Sequence, residues 1–140
     1  MTFKPSAHPA SDQSIEVPIA TGELIDKITI LEIKVERIAD PTKIANVRVE
    51  LALLCQRRDA TLAPDTGLDV LVARLKAVNE RLWDLEDQIR DCDRRQDFGP
   101  GFVTIARSIY RANDERAGLK REINLATGSK LIEEKSYAGG

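Results

Sequence analysis

Residues 21–38, TGELIDKITILEIKVERI, carry more aliphatic side chains than a helix with one packing partner can bury. Some of them share one face at helical spacing, namely Leu24, Ile28, Leu31, Val35 and Ile38. Ile25, Ile30 and Ile33 lie away from that face. An apolar surface this wide predicts a helix packed among several others, either at the centre of a bundle or at a subunit interface.

Three further segments have apolar residues at helical spacing, and turn-forming residues separate them. The segment over residues 41–60 begins with Asp40 as a helix cap and Pro41 at the first helical position. In residues 68–92 the apolar steps alternate between three and four without a break, which is the heptad pattern of a coiled coil. After a break rich in glycine and proline, the last segment continues to residue 126.

These segments predict an all-α fold, a bundle of four antiparallel helices. A short hairpin covers residues 22–60 and a long hairpin covers residues 68–126, because short connections make consecutive helices antiparallel neighbours. We expect Thr21 to cap the first helix with its hydroxyl. A short extended segment containing Pro18 precedes that helix, and a tail follows the last one.

The composition sets the domain organisation and the kind of core. Residues 1–14 are polar and contain proline, which predicts a disordered tail, and residues 15–140 are expected to form a single helical domain. Aromatic residues make up only 4% of the chain, so aliphatic side chains must build the core. This composition favours helices packed on helices over sheets.

The charge and hydropathy of the chain argue against two classes of partner. With 21 basic and 23 acidic residues, the formal net charge is -2, so we do not expect nucleic-acid binding. No apolar run approaches the roughly 20 residues that cross a bilayer. The N-terminus also lacks the apolar core of a secretory signal. We therefore expect no membrane association and a cytoplasmic location.

The chain offers few of the usual catalytic and metal-binding groups. Its one histidine, His8, lies in the predicted tail, which excludes a His-dependent triad or a His-ligated zinc site in the ordered domain. Cys55 and Cys92 do not have the spacing of metal ligands. We predict no metal and no cofactor, and we assign no catalytic residue. Whether the chain is an enzyme stays open, because Asp, Glu, Lys and Tyr can also transfer protons.

The candidate functional residues lie beside the apolar seams of the long hairpin and at the start of the first helix. With a turn near residue 98, the antiparallel model brings polar residues of the last two helices to one level. The expected cluster of ligand-binding candidates is Glu23, Lys27, Asn79, Trp83, Tyr110, Asn113, Arg116 and Lys120.

Two interpretations of this cluster remain open. It can be a buried polar layer that fixes the register of the helices, a known use of Asn at core-edge positions. It can also be a pocket for an anionic or sugar-like ligand. In that case Arg116 and Lys120 bind the anion, and Trp83 or Tyr110 forms a stacking wall.

The stretches VPIATGELIDKITILEIKVERI, AVNERLWDLEDQIR and IARSIYRANDERAGLKREIN, with GSKLIEEKSY near the end, resemble an uncharacterised bacterial family of small helical proteins. This family is a domain of unknown function, and the resemblance covers about residues 15 to 137. It implies a bacterial helical protein and favours a role near glycosyltransferase or surface-polysaccharide modules. It brings no catalytic residues with it.

Two functional hypotheses follow. The first is a non-enzymatic homodimeric module that binds a partner protein linked to glycan or surface-polysaccharide metabolism. It rests on the surplus apolar surface of the first helix and on the missing catalytic groups. The second is a protein that binds a small anion or sugar, or an unusual enzyme that works without histidine, through the polar cluster of the third and fourth helices.

Overall fold

The structure is a computed structural model and describes residues 13–137 of the chain. Its four helices are α1 (Thr21–Arg37), α2 (Pro41–Thr61), α3 (Thr66–Arg94) and α4 (Pro100–Thr127), and the described residues contain no strand. The predicted all-α bundle of four helices is confirmed. The predicted disordered tail, residues 1–14, lies outside the described residues except for its last two positions.

Residues 13–20 and 129–137 form neither helix nor strand and flank the bundle. Where an extended segment is expected before the first helix, the backbone is not helical, and its last residue, Ala20, has extended dihedral angles. The extent of the predicted domain, residues 15–140, stays a prediction. None of the helices in the described part of the chain combines the length and hydrophobicity that crossing a bilayer requires.

Helix α1 lies at the centre of the bundle, because it alone packs against each of the other three helices. Ile28 and Leu31 of its main stripe are buried, and so are two of the isoleucines outside that stripe, Ile25 and Ile33. The other residues of the stripe are half-buried. The third of those isoleucines, Ile30, is half-buried as well. The wide apolar surface is therefore used inside the chain, as the central position predicted for this helix requires.

The core is built by α1, α3 and α4. Its fully buried cluster consists of Ile25, Leu75, Val78, Ala112, Leu119 and Ile123. Helix α2 has no buried residue and packs on α1 alone. The bundle is therefore a three-helix core with a fourth helix attached to its side, rather than two hairpins that share one core equally. The reason is that α2 has one apolar stripe, Ile44, Val47, Leu51 and Leu54, which suffices for a single packing partner.

Two ion pairs give the direction of α1 relative to α4. Lys120 donates to Glu23 with its Nζ at 2.6 Å from the carboxylate, and Arg116 donates to Asp26 with its Nε at 2.9 Å. The residue number rises along α1 while it falls along α4. These two helices therefore run in opposite directions.

The helix caps agree with the sequence for α2 and differ for α1. Asp40 caps α2 and accepts from the Thr42 N–H at 2.9 Å. Thr21, in contrast, is the first residue inside α1, and Ala20 holds the cap position without a side-chain hydrogen bond. The prediction of Thr21 as the cap was therefore wrong.

The free N–H groups of α1 are satisfied by residues from the end of α4. Asn124 accepts from the Gly22 N–H with its Oδ1 at 2.6 Å, and the Ser129 hydroxyl accepts from the Thr21 N–H at 3.3 Å. A helix start needs such partners for its first N–H groups. Partners that lie more than a hundred residues away replace the local cap here.

This contact requires a very close approach of α1 to α4 at Gly22. A Cβ atom at this position would overlap the backbone carbonyl oxygen of Lys120 and would lie 3.0 Å from the Asn124 Oδ1. Backbone atoms cannot move aside as a flexible side chain can. The absence of a side chain at Gly22 therefore sets the distance between the two helices.

Substitution of Gly22→Ala is expected to lower the free energy of unfolding by about 1–3 kcal/mol, the usual cost of overpacking a close contact. Gly118→Ala is the matched control, because a Cβ atom there meets nothing within 4 Å. It should be neutral or stabilise the chain by up to about 1 kcal/mol, through the higher helix propensity of alanine. Urea unfolding of both variants measures the difference. Equal effects would contradict the close approach.

Candidate functional site

A carboxylate that the sequence analysis did not single out lies at the centre of the predicted polar cluster. The Asp26 side chain on α1 is only 1% exposed. Arg116 on α4 binds it through two parallel hydrogen bonds, from Nε to Oδ1 at 2.9 Å and from Nη2 to Oδ2. Asn79 on α3 donates its Nδ2 to the same Oδ1 at 2.9 Å. All three core helices thus meet at one buried acid.

A second buried polar residue of α1 completes this network. The Thr29 hydroxyl accepts from the Asn79 Nδ2 at 2.9 Å and donates to the backbone oxygen of Asp26 at 2.8 Å. No buried side-chain nitrogen or oxygen in the described residues lacks a hydrogen-bond partner. This part of the cluster therefore has the geometry of the buried polar layer, the first of the two interpretations.

Lys120 extends the network towards the start of α1. Its Nζ lies 2.6 Å from the Glu23 Oε2, 3.9 Å from the Asp26 Oδ2 and 3.5 Å from the Glu133 Oε2. Lys27 lies at the outer edge, with its Nζ 3.9 Å from the other Glu23 oxygen. The positive charge of Lys120 is therefore balanced within the chain.

Burial and pairing act in opposite directions on the Asp26 carboxyl. Burial alone raises its pKa, because it disfavours the charged form. Hydrogen bonds from Arg116 and Asn79, with the charges of Arg116 and Lys120, outweigh burial and bring the Asp26 pKa below its ordinary value. The hydrogen bond to Asp26 in turn raises the pKa of Arg116. Both groups are therefore charged at neutral pH.

An open groove of about 440 Å³ lies beside this network, between α1, α3 and α4. Isoleucine and leucine side chains form its apolar part, and charged residues of α3 stand along it. The lining residues are Ile30, Ile33, Asn79, Leu82, Trp83, Glu86, Asp87, Arg90, Asn113 and Arg116. The structure thus brings four of the predicted site residues, Asn79, Trp83, Asn113 and Arg116, to one groove.

The other four predicted residues lie elsewhere. Glu23 and Lys120 line a second groove of about 320 Å³, which the segments on either side of the bundle help to form. Lys27 and Tyr110 are exposed and do not line either groove. Of the two proposed stacking residues, only Trp83 therefore lines a groove.

Trp83 is half-buried and also contacts a cation outside the groove. The guanidinium carbon of Arg37 lies 6.0 Å from the centroid of its ring, within the range of a cation–π contact. Arg37 also donates to Asp84 at 2.5 Å. These contacts join the end of α1 to α3 and help to hold the indole ring in place.

Asp26 and Thr29 are the residues that sequence reasoning missed, although a signal for both was available. They are three residues apart, and they share the second apolar face of α1 with Ile30 and Ile33. A carboxylate on a face that is destined for burial needs a cationic or hydrogen-bonding partner. Applied to residues 21–38, that rule would have pointed to Asp26.

Nearly the whole chain, residues 15–140, matches the sequence pattern of one protein family. The chain belongs to the family of unknown function DUF6165. No curated protein and no solved structure matches it. Membership in DUF6165 confirms the resemblance to an uncharacterised family, while the bacterial origin and the glycan association expected from that resemblance stay predictions.

Substitution of Asp26→Asn is expected to lower the free energy of unfolding by about 3 kcal/mol. This is the lower end of the range for a broken buried ion pair, because Arg116 keeps some exposure to solvent. Asp84→Asn is the control, since it breaks the exposed pair with Arg37 and should cost at most about 1 kcal/mol. Urea unfolding at neutral pH measures both. If both variants lose the same small amount of unfolding free energy, the buried Asp26 pair stabilises the fold no more than the exposed Asp84 pair does.

The lowered pKa of Asp26 also predicts how stability depends on pH. The unfolded carboxyl titrates near pH 3.9, and the folded one titrates below that value. Its contribution is therefore complete above about pH 4 and disappears as the pH falls through the folded pKa. The difference in unfolding free energy between the unaltered chain and Asp26→Asn should narrow on acidification. A difference that widens instead would place the folded pKa above the unfolded one.

Proposed function

We propose that the chain is a binding module whose groove between α1, α3 and α4 takes a neutral, hydroxyl-rich small molecule of the sugar class. The observation that carries this proposal is the convergence of Asn79, Trp83, Asn113 and Arg116 on one groove of about 440 Å³. Pockets for small molecules in proteins have volumes of about 300–1,000 Å³. They combine an apolar lining with a few polar groups, as this groove does.

The charges around the groove support a neutral ligand over an anionic one. Arg116 and Lys120, the two cations expected to bind an anion, already hold the carboxylates of Asp26 and Glu23. At the rim, Arg90 pairs with Glu86 at 3.3 Å. An anion entering the groove would have to compete with these internal carboxylates, whereas a neutral molecule would not.

The polar groups along the groove fit hydroxyl groups, which both donate and accept hydrogen bonds. Asn79 uses both amide protons on α1, so it can offer a ligand only its Oδ1 as an acceptor. Arg116 keeps N–H groups beyond the two that it donates to Asp26. Asn113 supplies a half-buried amide, and the Trp83 ring supplies an apolar surface for the C–H face of a sugar.

Trp83 is the only tryptophan in the chain, so the tryptophan fluorescence comes from one side chain that lines the groove. We expect a saturable change of this signal with a neutral mono- or oligosaccharide and no change with inorganic phosphate. Asn113→Ala should weaken binding by about tenfold, the effect of one lost hydrogen bond. Gln88→Ala, at an exposed position on α3 outside the groove, is the control and should leave the affinity unchanged.

If the Trp83 fluorescence changes with phosphate but with no neutral sugar, the ligand is an anion and the proposal of a neutral ligand is wrong. Native mass spectrometry of the purified protein extends the test to ligands outside the titrated set. If no neutral sugar changes the Trp83 signal and no small molecule is retained, the groove has only its structural role and the proposal is wrong.

A protein-interaction role, with self-association, is the second candidate function. Helix α1 gives it no further support, since Ile25 and Ile33 are buried within the chain. Helix α2 favours it, because this helix buries no residue and leaves Val49 and Leu53 exposed. A cytoplasmic location and a link to glycan metabolism are compatible with both candidates and belong to the proposal.

A further inference from the structure

We infer that a second copy of this chain docks on the outer face of α2, with the two α2 helices antiparallel and a two-fold axis at the level of residue 51. This inference rests on the interaction role proposed above and names its partner. It is independent of the groove, which lies between the three other helices.

The outer face of α2 has an unusual composition for a solvated surface. The side that faces α1 consists of half-buried apolar residues and Arg58. The opposite side is exposed and uncharged along the whole helix, and it consists of Thr42, Ala45, Asn46, Val49, Ala52, Leu53, Gln56 and Ala60. In a chain with 31% charged residues, an outer helix face is expected to carry charges. Instead, Val49 is 72% exposed and Leu53 is 43% exposed at its middle.

The two-fold axis at the level of residue 51 brings this face against the same face of a second copy. Val49 then lies opposite Leu53 of the second copy, so that apolar side chains meet at two symmetric positions. Asn46 lies opposite Gln56 of the second copy, and two amides can exchange hydrogen bonds. Such matching of a patch with itself is what a two-fold symmetric interface requires.

The charge distribution favours the antiparallel arrangement over a parallel one. A parallel two-fold pairing would place the two copies of Arg57 level with each other, and likewise the two copies of Arg48. The antiparallel pairing places Arg57 level with Ala45 of the second copy instead. It therefore avoids repulsion between like charges.

The size of the face limits such a dimer to weak, reversible association. The 21 residues of α2 extend over about 31 Å, and a stripe about 10 Å wide gives roughly 300 Å² for each copy. A stable interface buries about 800 Å² on each partner. The segment before α1 reaches one edge of this face, where Glu16 pairs with Arg57. A face of this size favours association that depends on concentration.

A charge-exchange experiment tests both the face and its register. In a homodimer of Val49→Lys chains each lysine would meet Leu53 of the second copy, and in a homodimer of Leu53→Glu chains each glutamate would meet Val49. Both variants alone should lose the dimer, with association weakened by at least about tenfold because a charge is desolvated without a partner. In an equimolar mixture, lysine and glutamate meet at one position and the native pair remains at the other. The mixture should therefore regain the dimer mass.

Sedimentation velocity over a concentration series up to about 1 mM, the weak end of protein association, measures these states. Val70→Lys is the matched control, because Val70 is an exposed valine on α3, and this variant should dimerise like the unaltered chain. Circular dichroism establishes that each variant is folded. A sugar response of Trp83 in the Val49→Lys chain tests the groove separately, so the two proposals can fail independently.

Three results would overturn the inference. These are an unaltered chain that stays monomeric over the whole series, a dimer that survives in both folded variants, and a mixture that stays monomeric. The second result would show that copies associate through other residues, and the last would show that they associate in a different register.

Discussion

The ion pair between Asp26 and Arg116 is the constraint on which the arrangement of α1, α3 and α4 depends. A carboxylate at 1% exposure costs several kcal/mol unless partners surround it. Its partners come from two other helices, Arg116 from α4 and Asn79 from α3. Aliphatic cores tolerate the exchange of one apolar side chain for another of similar volume, whereas each group of this network depends on particular partners on the other helices. The polar layer therefore favours the observed register of the three helices.

The same ion pair shapes the groove beside it. Because the Asp26 carboxylate neutralises the charge of Arg116, the groove offers hydrogen-bonding groups without an excess of positive charge. The two interpretations of the polar cluster are therefore not alternatives. The inner part of the cluster positions the helices, and the outer part, with Trp83 and Asn113, faces a space that a small molecule can enter.

Much of the fold follows from the spacing of apolar residues. The four helices begin and end within a few residues of the predicted limits, since the caps and breaks are local signals, and the apolar width of α1 predicts its central position. The features that sequence missed depend on residues far apart in the chain. The local pattern of α1 could have marked Asp26 for burial, but it could not have given its partners on α3 and α4. At the start of α1, the Gly22 N–H donates to the distant Asn124 and not to a local cap. Helix α2 packs on α1 alone because α3 and α4 occupy the other sides of α1, and the sequence of α2 does not contain that information.

The long-range cap of α1 has a consequence for synthesis of the chain on the ribosome. Thr21 and Gly22 emerge early, but the groups that accept from their N–H atoms belong to Ser129 and Asn124. Until Asn124 and Ser129 have left the exit tunnel, the Thr21 and Gly22 N–H groups lack these partners, and Ile25 can meet only the α3 part of its core. The start of the central helix therefore settles only once α4 and the residues just after it are free of the ribosome.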